Sequence, residues 1–181
     1  MQKLKSVFKT SKASSSSPSE PPPLDTSYPI IVAQYKRDVY GVGTEEELHW
    51  AIIVFTDIAN QTGPSFQIFD RHFRDGTVQW NYFEKVVQLY KTDKSLGGVI
   101  IGSVKASELE NLEKVIRENQ PVIKCEGWNC RSWVMEVIAE LVANGWVDPK
   151  VKDQSSLIPS MRLASLQTVA AKKPEIVNLS V

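Results

Sequence analysis

The sequence predicts an α+β fold, and three observations carry that prediction. Between about residue 28 and residue 104, short apolar segments alternate with turn residues, which is how strands read. After residue 106 the apolar residues recur every three or four positions, which is how amphipathic helices read. A chain of 181 residues has room for one core-bearing domain holding both kinds of element, and little more.

From Met1 to about Ser27 the chain is rich in Ser, Pro and Lys, with the run Ser14 to Ser17 followed by Pro21, Pro22 and Pro23. Such a segment buries too little apolar surface to offset the entropy of ordering it, so residues 1–27 are expected to form a disordered tail. Lys3, Lys5, Lys9 and Lys12 interleave with Leu4, Val7 and Phe8. That pattern leaves open a weak contact with a membrane surface, or a targeting signal, through a short basic amphipathic helix.

The folded domain is expected over residues 28–170. Ile30 to Tyr35 reads as a strand, and Gly41-Val42-Gly43-Thr44 as a turn. Leu48 to Phe55 is apolar on both faces, as a central strand covered on both sides would be. Asn60 to Pro64 reads as the next loop, Ser65 to Asp70 as an antiparallel partner strand, and Asp75-Gly76 as the turn into a third strand around Val78 to Val87. Gly97 to Val104 is a fourth strand segment.

A helix is expected from Ser107, where Ser107 and Glu110 form a capping-box pattern and Leu109, Leu112, Val115 and Ile116 share a face. Asn129 is a good cap for a second helix, whose stripe of Cys130, Trp133, Val134, Val137, Ile138 and Leu141 runs until Gly145. Ser156 to Ala170 reads as a third helix, interrupted by Pro159. Residues 171–181 carry no pattern and are taken as a C-terminal tail.

Lys plus Arg and Asp plus Glu both number 21, so the net charge is zero and no general field draws nucleic acid or an anionic membrane. No apolar run approaches the roughly twenty residues needed to cross a bilayer, and the N-terminal stretch lacks the apolar region of a signal peptide. An intracellular, cytoplasmic protein is expected. Cys125 and Cys130 are separated by a helix start and make a poor disulfide, which suits a reducing compartment. Phosphate loops, Gly-x-Ser-x-Gly elbows and basic-aromatic alternation are missing from the sequence, and neither a cofactor nor a nucleic-acid partner is expected.

The chemistry centres on Cys130. A thiol in the first turn of a helix lies near unsatisfied backbone N–H groups and the positive end of the dipole, both of which favour thiolate, the nucleophilic form. Free cysteine also serves commonly as a small buried hydrophobe. A nucleophile needs a base, and of the two histidines His49, at the head of an apolar strand, is the better placed. Period-two alternation puts Gln67 and Asp70 on opposite faces of the following strand, so at most one of them can orient the imidazole. Zinc is a further conceivable use for Cys125, Cys130, His49 and His72, but a capping turn separates the cysteines and the histidines come from different elements.

The His49-Trp50 strand placed well before the Asn129-Cys130 helix start resembles the permuted papain-like group, which includes the NlpC/P60 and lecithin-retinol-acyltransferase-like proteins. His49-Trp50-Ala51-Ile52-Ile53-Val54 followed by Trp128-Asn129-Cys130-Arg131-Ser132-Trp133-Val134 is also similar to a family of small uncharacterised fungal proteins, over roughly Pro29 to Val147. The resemblance implies an antiparallel sheet of four to six strands packed against the Cys130 helix and one or two others. It implies a Cys130–His49 pair, with Gln67 at the position where the relatives carry a histidine. The implied function is a cysteine-dependent hydrolase or acyltransferase acting on an amide, thioester or ester of a small molecule, peptide or lipid acyl group. The departure at Gln67 favours the alternative, an inactive relative that serves as a binding or scaffolding module.

Overall fold

The computed structural model describes residues 26–37 and 47–180. The Ser/Pro-rich segment up to residue 25 and the expected turn at Gly41 to Thr44 lie outside the described residues. Strands β1 (Ser27–Tyr35), β2 (His49–Val54), β3 (Thr62–His72), β4 (Val78–Gln88) and β5 (Ser95–Lys105) come first in the chain. Helices α1 (Leu109–Glu118), α2 (Cys130–Ala143) and α3 (Gln154–Ala171) follow, and a short strand β6 (Ile176–Asn178) comes last. The strands form one sheet in the order β4-β3-β2-β1-β5-β6. Neighbours pair antiparallel except β5 and β6, which run parallel, so the fold is α+β with a mixed six-stranded sheet.

The continuous apolar run of β2 reflects its place in the middle of that sheet. Trp50, Ile52 and Val54 point to one face and join Ile30, Val32, Phe66 and Ile68 against Trp133, Val137, Ile138, Leu157 and Met161 of the helices. Ile53, on the opposite face, joins Ile31, Ala33, Phe55 and Leu89 in a smaller cluster. Helices cover the first face, and the second face carries the groove described below.

Several boundaries differ from the sequence reading. The expected tail reaches Ser27, yet Ser27 already pairs with Lys105 in the β1–β5 ladder. The expected loop at Asn60 to Pro64 is mostly strand, because the turn closes early through reciprocal backbone bonds between Asp57 and Thr62 of 3.0 and 2.9 Å. Gly63 is required there, since a Cβ would stand 1.8 Å from the Val54 carbonyl oxygen. The Ser107–Glu110 capping box does not form. Ser107 lies inside a 3-10 turn over Ala106–Glu108, and Glu108 caps α1 without a side-chain bond.

α2 is capped at both ends as its sequence suggests. The Asn129 side chain accepts from the Arg131 N–H at 3.0 Å, and the Asn129 N–H donates to Ser132 Oγ at 3.3 Å. At the other end Gly145 adopts φ 78°, with the Trp146 N–H bonding the Leu141 carbonyl and the Gly145 N–H bonding that of Val142, a Schellman arrangement. α3 starts before Ser156, because the Asp153 side chain accepts from the Ser156 N–H at 2.9 Å. It continues through Pro159, which is exposed, as is Ser155, whose carbonyl the proline cannot serve.

The expected C-terminal tail is also corrected. Ala171 ends α3, and Ile176–Asn178 adds β6 beside β5, anchored by the Gly98 N–H on the Glu175 carbonyl and the Glu175 N–H on Thr168 Oγ1. Three residues are too few to show a strand period.

Removing residues 1–25 is expected to leave the melting temperature unchanged, because the segment is too poor in apolar residues to add to the core. Extending the deletion through Val32 takes out the strand paired to both β2 and β5 and should abolish cooperative unfolding. A fall of several degrees from the shorter deletion, read by thermal melting, would show that the segment packs on the domain.

Candidate active site

His49 opens β2 and Cys130 opens α2, so the two meet at one end of the sheet. The β2–β3 ladder consists of Ile52↔Phe66 and Ile53↔Ser65 and has stopped before this end. The Trp50 backbone N–H there donates to the Cys130 sulfur, and the His49 ring is hydrogen-bonded to the same thiol. Arg131, the next residue of α2, donates from Nη1 to the Leu48 carbonyl at 3.1 Å and ties the helix start to the strand start.

The imidazole is held on several sides. Its Nε2 lies 3.0 Å from Gln67 Oε1. That oxygen can only accept, so Nε2 carries the proton and Nδ1 is left for the thiol. The Phe69 ring stacks on the imidazole at 5.1 Å between centroids with planes 9° apart, and the Tyr35 ring stands at 6.2 Å. Burial also pushes the Tyr35 hydroxyl above its ordinary range, so it remains a neutral phenol.

Opposing effects act on the Cys130 thiol. Burial raises its pKa, while the hydrogen bond and charge of His49, the Trp50 N–H and the Arg131 cation lower it. The lowering effects win, and the thiol sits below the ordinary cysteine value. The α2 cap engages the Arg131 and Ser132 N–H groups and leaves the Cys130 N–H at the helix N-terminus.

Of the residues singled out in the sequence, Cys130, His49 and Gln67 come together. Asp70 does not join them: its carboxylate pairs with Arg37 at 3.4 Å and His72 at 2.8 Å. Burial raises the Asp70 carboxyl, but the His72 hydrogen bond and the Arg37 and His72 charges more than offset this and hold it below its usual value. Cys125 is exposed and Cys130 buried, both as free thiols. Among the described residues no three His, Cys, Asp or Glu side chains converge as metal ligands would. Trp128 and Trp133 pack rather than line the site. Their indole N–H groups bond Glu136 at 2.8 Å and the Asn119 carbonyl at 2.7 Å, and their rings meet Trp80 and Tyr82 edge-on.

A groove of about 900 Å³ opens on the sheet face that the helices leave uncovered. Tyr35, His49, Gln67, Phe69, Val87 and Leu89 are among its walls. Cys130 is not, and its exposure is 0%. A molecule in the groove therefore meets the imidazole first, with the sulfur behind it.

Residues 29–174 match a family of unknown function, DUF6914. The chain belongs to that family. The DUF6914 match takes in β2 to β5 and all three helices, and with them Cys130, His49 and Gln67. No curated protein and no solved structure matches the chain.

Sequence reasoning missed Phe69, Tyr35, Arg131 and the Trp50 N–H. Phe69 was within reach of it, since it shares strand parity with Gln67 and so the same face. Tyr35 was not, because its pairing with His49 depends on the β1–β2 register. Nor was the role of the Trp50 N–H, which depends on where the β2–β3 ladder stops.

Proposed function

We propose that this DUF6914 protein is a cysteine-dependent hydrolase or acyltransferase of permuted papain-like design, acting on an amide, thioester or ester. The observation that carries the reading is the chain of contacts from Gln67 through His49 to Cys130, with the thiol held below its ordinary pKa. In this mechanism Gln67 Oε1 accepts from His49 Nε2–H and fixes the tautomer, and Nδ1 takes the thiol proton. The thiolate adds to the carbonyl carbon, and the Cys130 N–H at the α2 N-terminus faces the oxyanion. Collapse of the tetrahedral adduct breaks the bond to the leaving group, which takes its proton from the imidazolium. Water or an acceptor nucleophile then releases the acyl group from sulfur and regenerates the thiol.

The burial of Cys130 favours a second reading, a binding or scaffolding module that retains the pair without turnover. Titrating Cys130 alkylation by iodoacetamide in a Cys125→Ser background separates the two. In an enzyme the alkylation rate should level off well below the free-cysteine pKa of about 8.5. Gln67→His should preserve or raise the rate at neutral pH, and Gln67→Leu should lower it severalfold, because the imidazole loses the group that holds its tautomer. Identical pH profiles for all three folded proteins would favour the module.

A further inference from the structure

We propose that the groove beside His49 binds a soluble organic anion, a phosphate or carboxylate joined to a short apolar arm, as the acyl substrate of this site. This rests on the reading above for the role of substrate, and it adds the chemistry by which the groove selects it. The whole chain balances 21 cationic against 21 acidic side chains, yet the groove does not. Among the described residues its walls carry five cations, including Lys36, Lys85 and Lys91, and a single carboxylate, that of Asp70. Asp70 is already engaged by Arg37 at 3.4 Å and His72 at 2.8 Å.

A concave wall of one sign concentrates the field inside it and attracts the opposite charge. Lys85 and Lys91 are both exposed, so neither side chain has been desolvated by the fold. The apolar arm has its own seat. Phe69 is 44% exposed and stacks on the His49 ring, and Phe83, on the same face, meets Phe69 edge-on at 5.9 Å and is 42% exposed. A carbon chain laid on Phe69 covers apolar surface and brings an attached carbonyl to the imidazole edge, while its anionic end reaches the lysine side. Inorganic phosphate would leave this apolar surface bare, and a neutral or cationic amphiphile would leave the lysines unmatched.

The test is isothermal titration calorimetry on the full chain carrying Cys130→Ala, so that nothing turns over. Its titrants are hexyl phosphate, inorganic phosphate, hexanol and hexyltrimethylammonium. Hexyl phosphate is expected to bind at least about tenfold more tightly than each of the others, and to weaken as salt is raised. The double variant Lys85→Glu/Lys91→Glu, with its melting temperature unchanged, should weaken hexyl phosphate about tenfold or more. If that variant does not fold, Lys91→Gln alone should weaken it about threefold.

Equal binding of the alcohol or the cation would overturn the anion, and inorganic phosphate matching hexyl phosphate would overturn the apolar arm. Unchanged affinity in the lysine variants would overturn the groove. A lipid source is separated by sedimentation with phosphatidylglycerol vesicles: vesicle binding without hexyl phosphate binding would replace the groove by surface adsorption and overturn the proposal. Hexyl phosphate binding beside a Cys130 thiol that alkylates like a free cysteine would uphold the groove and remove the reaction.

Discussion

Replacing His49 with alanine is expected to move the Cys130 thiolate titration upward by about one pH unit or more. The sign follows from the balance at the sulfur. Burial favours the neutral thiol, and His49 supplies the first hydrogen bond and charge that oppose it, ahead of the Trp50 N–H and the Arg131 cation. With the imidazole gone burial regains the advantage, and the pH at which thiolate forms rises. At neutral pH the thiolate population should fall about tenfold or more, since each unit is a factor of ten below the midpoint. Thiolate ultraviolet absorbance, taken as a difference against Cys130→Ala, reads this without a reagent having to reach a buried sulfur. A titration that does not move would show that His49 is not the partner of the thiol. Removing Asp70 instead should leave the titration in place, because its carboxylate is joined to Arg37 and His72.

Trp133→Ala should destabilise the protein by about 3 to 5 kcal/mol, the usual cost of emptying a large core site. Trp133 has 0% exposure, packs edge-on against Tyr82 at 6.0 Å and donates its indole N–H to the Asn119 carbonyl at 2.7 Å. The loss adds a cavity between α2 and the sheet to a carbonyl left without its donor. A fall of about 10 °C in melting temperature is expected, with Trp133→Phe recovering part of it through retained packing. Trp133 stands one turn after Cys130, so the cavity loosens the helix start as well, and the thiolate titration should broaden. Melting within about 2 °C of wild type would mean that this side chain does not anchor α2.

Neither experiment needs a substrate, so both can precede any search for one. His49→Ala spares the α2 core, so it should shift the thiolate titration without the stability loss expected of Trp133→Ala.

The site was more legible than the fold's margins. Cys130 stood out because a helix start is written locally, in Asn129 and the stripe behind it. His49 stood out because it heads an apolar run. Gln67 was harder, because strand parity excludes one of Gln67 and Asp70 without choosing between them. The pairing of β3 with β2, which sets Gln67 against His49, and the partners of Asp70 made that choice. The Ser107–Glu110 pattern failed for a related reason: a 3-10 turn occupied the place where the cap would have formed.

What the sequence determined by itself was local: the strand and helix segments, the caps of α2, the two-faced burial of β2, and the identity of the thiol and imidazole. These depend on periodicity and on backbone hydrogen bonds between residues a few positions apart. Only the tertiary structure decided that β6 adds a parallel edge, that Phe69 stacks on His49, that the Trp50 N–H turns to the sulfur and that lysines from separate elements share one groove. Each of those joins residues distant in the chain, and the energy that selects them arises from strand register and burial across the sheet, which no short stretch of sequence contains.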